Sequence, residues 1–343
     1  MSDALKVLLV GAGRAGLVHG RSFATGIPGA RLAAIADPSA DARERAAREL
    51  GCDRLFEDPL EAITDQGIDA VVVAGPTFTH AEIAVTALQA GVHVLCEKPL
   101  ASDLDEAKAI ADAEASSSGS LSMAFMRRFD RGFKRAAERI TAGDIGRPVL
   151  VRSSGRGPGL PPEWAWDVTR SGGLIAEVNS HDLDTVRWMS GQEFDSVHAL
   201  GRAAKRPDIA VRHPGFVDVV VASFELDGGA LAQIDGACPA DYGYDARVEV
   251  YGTEGTILVG GPVQESALLV RKEGAIADPV GSWRDLFADA YRAEDAHFVA
   301  VAREEAAPVG GIEDGVRALE GVIAVNRSLA ERRPISIEEV RPR

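Results

Sequence analysis

The chain has 343 residues, enough for two domains of about 150 residues each, and a chain of that size buries a full core without disulfide staples. Its 37 basic and 52 acidic side chains leave a net charge of −15. That balance excludes nucleic acid and an anionic membrane as main partners, because both bind basic surfaces. Hydrophobic residues make up 46% and charged residues 26%, the proportions of an ordinary globular protein.

The first third alternates strand and helix. Lys6–Val10 is a continuous apolar run, as expected of a strand buried on both faces. A helix over Arg14–Thr25, a strand over Arg31–Asp37 and an Ala/Arg/Glu-rich helix over Asp41–Leu50 follow. Ala70–Ala74 is a further buried strand. Glu82–Ala90 reads as a helix ended by Gly91, His93–Cys96 as a strand, Leu104–Ala115 as a helix and Leu121–Phe125 as the last strand. This rhythm predicts a doubly wound parallel sheet with right-handed crossovers. The Ser116–Ser120 stretch is the most linker-like, and a boundary is expected near residue 125, giving domains 1–125 and 126–343.

Beyond it the pattern changes. A helix is expected over Arg131–Thr141, a Gly/Pro-rich loop over Gly155–Pro162 and a helix from about Gly173. Strand-like runs follow at Val197–Gly201, Phe216–Phe224, Ala230–Gly236, Ala246–Tyr251, Gly255–Val259 and Ala267–Arg271. Asp227-Gly228-Gly229 and Gly252-Thr253-Glu254-Gly255 read as hairpin turns. Two helical stretches, Trp283–Glu304 and Ile312–Arg332, close the chain. The second domain is therefore expected to be α+β with a largely antiparallel open sheet.

No apolar run approaches the roughly 20 residues that span a bilayer. The opening Met1–Lys6 runs straight into the first strand, so no secretory leader is expected. Cys52, Cys96 and Cys238 are scattered and show neither metal spacing nor a disulfide framework; a reducing cytoplasm fits them. Cys96 is expected to pack in the core. No metal site is expected.

Glycine is the compositional excess, at 36 residues, and three have a clear function. Gly11-Ala12-Gly13-Arg14-Ala15-Gly16 follows a strand and opens a helix, the context that gives a GxGxxG pattern meaning. Gly11 permits the turn, Gly13 lets a pyrophosphate approach the backbone, and Gly16 lets helix pack on strand. The phosphates then meet free N–H groups at a helix N-terminus. Asp37 ends the second strand about 20 residues on, where a carboxylate accepts from ribose hydroxyls and repels a 2′-phosphate. That favours NAD over NADP. Arg43 and Arg45 lie close enough to complicate the choice, or else line a solvated helix face.

Gly75-Pro76-Thr77-Phe78-Thr79-His80 follows the next strand, and Glu97-Lys98-Pro99 the one after. This order resembles the Gfo/Idh/MocA family, which includes inositol dehydrogenases. The resemblance continues through Arg156-Gly157-Pro158 with Pro161-Pro162, through Ser171-Gly172-Gly173-Leu174 up to His181-Asp182-Leu183-Asp184, and through Tyr242–Val250. It covers nearly the whole chain. Gly157 stands where the family has Asp, and Glu177 where it usually has Asp.

The resemblance implies that the nucleotide is bound by Gly11, Gly13, Arg14, Ala15, Gly16, Asp37, Pro76, Thr77, His80, Glu97 and Lys98. It implies a catalytic set of Lys98, His181 and Glu177, with Arg156, Trp164 and Tyr244 joining Lys98, Glu177 and His181 at the substrate. The Lys98–Pro99 peptide is often cis in the family. Chemically, a Lys at the C-terminal end of a parallel strand sits where open α/β sheets bind ligands, and its ammonium stabilises charge developing on an oxygen. His181 has the residue type for a general base near neutrality. Glu177, four residues earlier, shares its helix face and either touches substrate or only orients the histidine. Asp184 either supports His181 or faces solvent, and Tyr244 either borders the pocket or packs in the sheet. Asn179 and Tyr242 are further pocket-lining candidates. His19 either lies near the cofactor or packs on its helix.

The expected activity is NAD-dependent oxidation of a secondary hydroxyl of a cyclic polyol or sugar, inositol first, by a homodimer or homotetramer. Two alternatives stand beside it: an NAD-retaining redox-neutral glycoside-cleaving enzyme, and a non-catalytic NAD- or sugar-sensing regulator.

Overall fold

The computed structural model describes residues 4–65, 67–262, 269–272 and 274–341. Two compact units emerge, one of residues 1–129 with 289–316 and the other of residues 130–288 with 317–343.

In the first unit, β1 (Leu5–Val10), β2 (Ala30–Ala36), β3 (Leu55–Phe56), β4 (Ala70–Val73), β5 (His93–Glu97) and β6 (Leu121–Ala124) form one sheet in the order β3-β2-β1-β4-β5-β6. Every pairing is parallel. That is the doubly wound dinucleotide-binding order, with its switch point between β1 and β4. Helices α1 (Arg14–Thr25), α2 (Ala40–Leu50), α3 (Pro59–Thr64), α4 (His80–Gln89) and α5 (Leu104–Ala115) make the crossovers. All four residues of β4 are buried, as a strand covered on both faces requires. Neither β3 nor α3 is legible in the sequence, because a two-residue strand and a six-residue helix leave no measurable periodicity.

In the second unit, α6 (Arg131–Thr141) precedes β7 (Pro148–Arg156), and α7 (Val168–Ser171) and α8 (Ser180–Ser190) precede β8 (Phe194–Arg202) and α9 (Pro207–Arg212). Next come β9 (Val219–Leu226), β10 (Leu231–Ala237), β11 (Asp245–Gly252) and β12 (Thr256–Gly260). A two-stranded ribbon, β13 (Leu269–Arg271) with β14 (Gly274–Ile276), follows, then α10 (Trp283–Leu286). The expected strand Ala267–Arg271 has its first two residues outside the described set. With β15 (Ile335–Ser336), the main sheet runs β12-β11-β7-β10-β9-β8-β15. Only β7 and β10 pair in parallel, so it is mixed and mostly antiparallel. Strict alternation of buried and exposed residues along β9 and β10 marks a sheet with one covered face. The two expected hairpins close β9 on β10 and β11 on β12.

Three expectations change. The supposed loop from Gly155 belongs to β7 as far as Arg156; its opening Pro148 weakens the strand signal. The helix expected from Gly173 is interrupted. The α7 helix stops at Gly172 (φ 73°), Gly173 is also left-handed (φ 63°), and Ile175–Asn179 is a π-helical turn leading into α8. The stretch Trp283–Glu304 is two helices, α10 and α11 (Ala288–Ala302), joined at Phe287.

Residues 289–316, read as part of the second domain, pack with the first unit. On α11, Ala290, Tyr291, Glu294, Asp295, Phe298 and Val299 form one buried helical face. Phe298 and Val299 join the core made by Val7, Leu9, Phe23 and Ile35. Gly310 O accepts from Met123 N of edge strand β6 at 2.9 Å, and Asp314 pairs with the Arg128 guanidinium at 2.8 Å. The last long helix, α12 (Ile312–Glu331), follows.

Candidate active site

The first unit gathers its motifs at the C-terminal edge of its sheet. At the turn after β1, Gly11 has φ 92°, and a Cβ there would lie 2.6 Å from Ala74 O. A Cβ on Gly16 would lie 1.8 Å from Gly11 O. Gly13 meets nothing within 4 Å: it faces open space at the N-cap of α1, where no side chain caps the helix and its first turn holds no acid. Two glycines are thus demanded by close packing and one is left bare toward solvent, the form of a phosphate cradle. Arg14 is exposed and Ala15 half-buried beside it.

Asp37 closes this cradle. Its Oδ2 accepts from Ala12 N at 2.8 Å and its Oδ1 from Ser39 N at 2.9 Å. A carboxylate has about four acceptor sites, so capacity for ribose hydroxyls remains. Arg43 donates to Asp37 O at 2.5 Å and Arg45 to Ala12 O at 3.3 Å. Both arginines therefore brace the turn's backbone. These residues fit a dinucleotide.

After β4, Thr77 is buried and Pro76 half-buried. Pro76 O accepts from Thr79 Oγ1 at 2.7 Å. His80 is only 1% exposed; Nδ1 stands 2.8 Å from Pro99 O and Nε2 3.0 Å from Gly75 O. Burial lowers its proton affinity against the pull of the two carbonyls, so the neutral ring donates to one of them at a time. It ties the turn after β4 to the turn after β5 through backbone carbonyls. Cys96 is buried as expected, and burial pushes its thiol up.

After β5, the Lys98–Pro99 peptide is cis. Lys98 is half-buried, and its backbone N donates to Glu97 Oε2 at 3.1 Å. Burial works against the Glu97 charge, but bonds and charges from His19 and Lys98 prevail and hold its carboxyl below the usual range. His19, on α1, bridges Glu97 and Asp295. That link escapes sequence reasoning because its partners lie 276 residues apart; the one signal is a histidine three residues past Gly16.

In the second unit, the π-turn Ile175–Asn179 and the start of α8 carry the polar set. His181 is 6% exposed and Glu177 half-buried. A π-turn widens the coil, and four residues still span close to one turn, so both stay on neighbouring parts of one face. Asn179 Nδ2 donates to Asp182 Oδ2 at 2.8 Å and to Asp235 O at 3.3 Å, while Ser153 Oγ donates to Asp182 Oδ1 at 2.6 Å. These bonds clamp the π-turn to β7 and β10. The clamp is close: a Cβ on Gly155 would lie 2.2 Å from Asp182 Oδ2, and one on Gly236 2.1 Å from Asn179 Oδ1. Asp184 is buried rather than solvent-facing.

The remaining substrate candidates divide. Trp164 lies half-buried in the 3-10 turn Glu163–Trp166. Tyr244 is buried with its ring edge-on to Phe287 at 6.2 Å. Arg156 follows Gly155 on β7 and so points to the sheet face away from Asn179. There its Nε bonds Asp235 Oδ2 at 2.8 Å, and Nη1 meets Tyr242 OH at 3.5 Å. Among the described residues no His/Cys/Asp/Glu group could hold a metal, and no helix is long and apolar enough to cross a membrane.

The parallel sheet order, the glycine cradle and Asp37 define a dinucleotide-binding protein of the Rossmann class. Residues 5–125 match the family described as an oxidoreductase family with an NAD-binding Rossmann fold, and residues 133–258 match the GFO/IDH/MocA C-terminal domain. The chain is 33% identical to scyllo-inositol 2-dehydrogenase (NAD(+)) of Bacillus subtilis over 98% of both chains. It is 32% identical to myo-inositol 2-dehydrogenase of Thermotoga maritima over 98% of this chain and 99% of that one. The crystal structure of Lactobacillus casei scyllo-inositol dehydrogenase with bound NAD(H) and scyllo-inositol matches with a TM-score of 0.88 at 28% identity, covering 98% of this chain and all of that one. This chain belongs to the GFO/IDH/MocA oxidoreductase family, and its cofactor is NAD.

Proposed function

We propose that the chain is an NAD-dependent dehydrogenase that oxidises a secondary hydroxyl of a cyclic polyol, an inositol first, to the ketone. The observation that carries this reading is full-length similarity to scyllo- and myo-inositol 2-dehydrogenases in a chain that keeps Lys98 after β5 and His181 at the start of α8. NAD, when bound, accepts the hydride. The chain's own residues handle the proton and the oxygen. His181 takes the hydroxyl proton as general base. The Lys98 ammonium donates to the same oxygen and steadies its developing negative charge. Glu177 orients the imidazole or holds a neighbouring hydroxyl, while Trp164 and Tyr244 border the ring. Gly13, Arg14 and Ala15 offer backbone N–H groups to the pyrophosphate, and Asp37 selects the free ribose hydroxyls of NAD over a 2′-phosphate. The same similarity favours this reading over glycoside cleavage or sensing.

A homodimer or homotetramer is part of the proposal. The open face of the second unit's sheet carries Leu200 (62% exposed), Leu258 (72% exposed), Val221, Leu231 and Tyr251. Apolar groups gathered on one sheet face mark an association surface. A monomer in sedimentation at micromolar concentration would refute it. Action in a reducing cytoplasm fits the scattered placement of Cys52, Cys96 and Cys238, all of them buried.

The activity test is NADH formation by purified protein from NAD and scyllo- or myo-inositol, beside NADP and common pyranoses. Strong preference for an inositol with NAD is expected. No reduction with any inositol or pyranose, and no oxidation of NADH by their ketones, would overturn the reading.

A further inference from the structure

Three ionisable side chains with no part as reactants meet inside the first unit. His19 of α1 presents Nδ1 to Asp295 Oδ1 of α11 at 2.6 Å and Nε2 to Glu97 Oε1 of β5 at 3.3 Å. None of the three is more than 5% exposed. A neutral imidazole donates once and turns a lone pair toward the second carboxylate, whereas the imidazolium donates to both. Asp295 Oδ2 has no hydrogen-bond partner among the described residues, so its buried charge depends on His19 for compensation. Tyr291, also of α11, stands edge-on to the His19 ring at 5.2 Å. Burial alone drives this ring toward neutrality. The charge and bond of Asp295, then those of Glu97, overcome it and hold the ring well above its ordinary range. The other carboxylate oxygen of Glu97, Oε2, accepts the backbone N–H of Lys98 at 3.1 Å.

We infer that His19 is a positioning residue for Lys98: held as a buried cation by Asp295, it fixes the Glu97 carboxylate, and through Glu97 Oε2 it fixes the backbone from which the Lys98 ammonium reaches the reacting oxygen. The role of Lys98 rests on the dehydrogenase reading above; the charge on His19 does not. Without the cation, Glu97 loses the partner that orients it. A displacement of about 1 Å at a reacting group costs up to about a hundredfold in rate.

Two measurements decide this. In full-length protein labelled with 15N-histidine, the His19 ring, assigned by its absence in H19Q, is expected to carry protons on both nitrogens at pH 8. A neutral ring there overturns the inference whether or not the enzyme oxidises inositol. Kinetics of H19Q, E97Q and the double variant form the second arm, read as kcat, NADH affinity and the primary deuterium isotope effect with inositol deuterated at the oxidised carbon. Each single change is expected to lower kcat by about ten- to a hundredfold and raise the isotope effect on kcat. H19Q should leave NADH affinity within about threefold, and the double variant should fall no lower than the worse single one. Losses that multiply, or fewer active sites with an unchanged isotope effect, would show a merely structural histidine and overturn the inference. Should H19Q not fold, D295N, which keeps the side-chain shape and removes the charge, takes its place in the kinetics, and the His19 ring is assigned by its shift in D295N. Wild-type protein that oxidises no polyol defeats the proposed function instead, and the ring measurement alone then decides His19.

Discussion

The two units build their contributions from different materials. The nucleotide end of the first unit is made of backbone: glycines where a Cβ has no room, one glycine facing open space, and free N–H groups at α1. The polar set of the second unit is made of side chains on a helix whose first turn is π-wound and clamped to β7 and β10 through Asn179 and Asp182. A backbone site depends on local conformation, so it is written in adjacent residues. A side-chain site depends on helical pitch and on the strands beneath it, which are set by distant parts of the chain.

Substitutions test that contrast, and the largest effect belongs to the backbone site. Gly16→Val would place a Cβ 1.8 Å from Gly11 O, and loss of NADH binding with destabilisation of about 3 kcal/mol or more is expected. Gly13→Ala is the sharper partner. With nothing within 4 Å, it should leave the apoprotein within about 0.5 kcal/mol of wild type while NADH affinity falls about tenfold. Thermal melts and NADH fluorescence titration read both, and equal effects at the two glycines would break the comparison.

Next come the side chains. Lys98→Met and His181→Asn should each lower kcat by roughly 10²–10⁴ with NADH affinity kept within about threefold. A cofactor-binding defect of the same size as the kcat loss would move either residue from the chemistry to the cradle.

A third effect depends on pH. The folded His19 is raised above its ordinary 6.5, so its stabilisation is complete below that value and fades as pH rises through the folded one. Glu97 is lowered from 4.5, so its share is complete above that value and fades as pH falls through the folded one. Removing one partner of a buried ion pair costs about 3 kcal/mol. The stability gap between wild type and H19Q is therefore expected to be widest between about pH 4.5 and 6.5 and to narrow in alkali, as read by chemical denaturation. A gap that widens toward alkali would contradict the charged ring.

The smallest effect is expected at Arg156. Its guanidinium is engaged by Asp235 on the outward sheet face, so Arg156→Gln should change KM for the polyol by no more than about twofold. A tenfold rise would return it to the substrate.

Legibility follows the same physical line. The parallel order was readable because buried strands such as Ala70–Val73 are continuous apolar runs, and the cradle because GxGxxG after such a run has one favourable geometry. The roles proposed for His181 and Glu177 come from the resemblance of Ser171–Asp184 to the family's helix, whereas the π-turn that carries Glu177 has no such signal: two left-handed glycines and the Asn326 side chain, which donates to Gly172 O at 2.8 Å, set where the helix restarts. The side of the sheet to which Arg156 points was hidden, because strand alternation has no sign until the covered face of the sheet is known. The bracing of the Asp37 turn by Arg43 and Arg45 was equally hidden, since a helix-face arginine shows no preference for solvent or backbone in sequence.

By itself the sequence determined the class of fold, the glycine pattern after β1 and the carboxylate at the end of β2, and it carried the residue types on which the proposed proton and oxygen chemistry rests. Each of these is a matter of short-range pattern: apolar period, glycine spacing, charge at a strand end. Only the tertiary structure returned residues 289–316 to the first unit, faced Arg156 away from Asn179 and joined His19 to Asp295. Those decisions rest on burial, because the apolar face of α11 and the charges beside it are satisfied only by a core assembled at the other end of the chain.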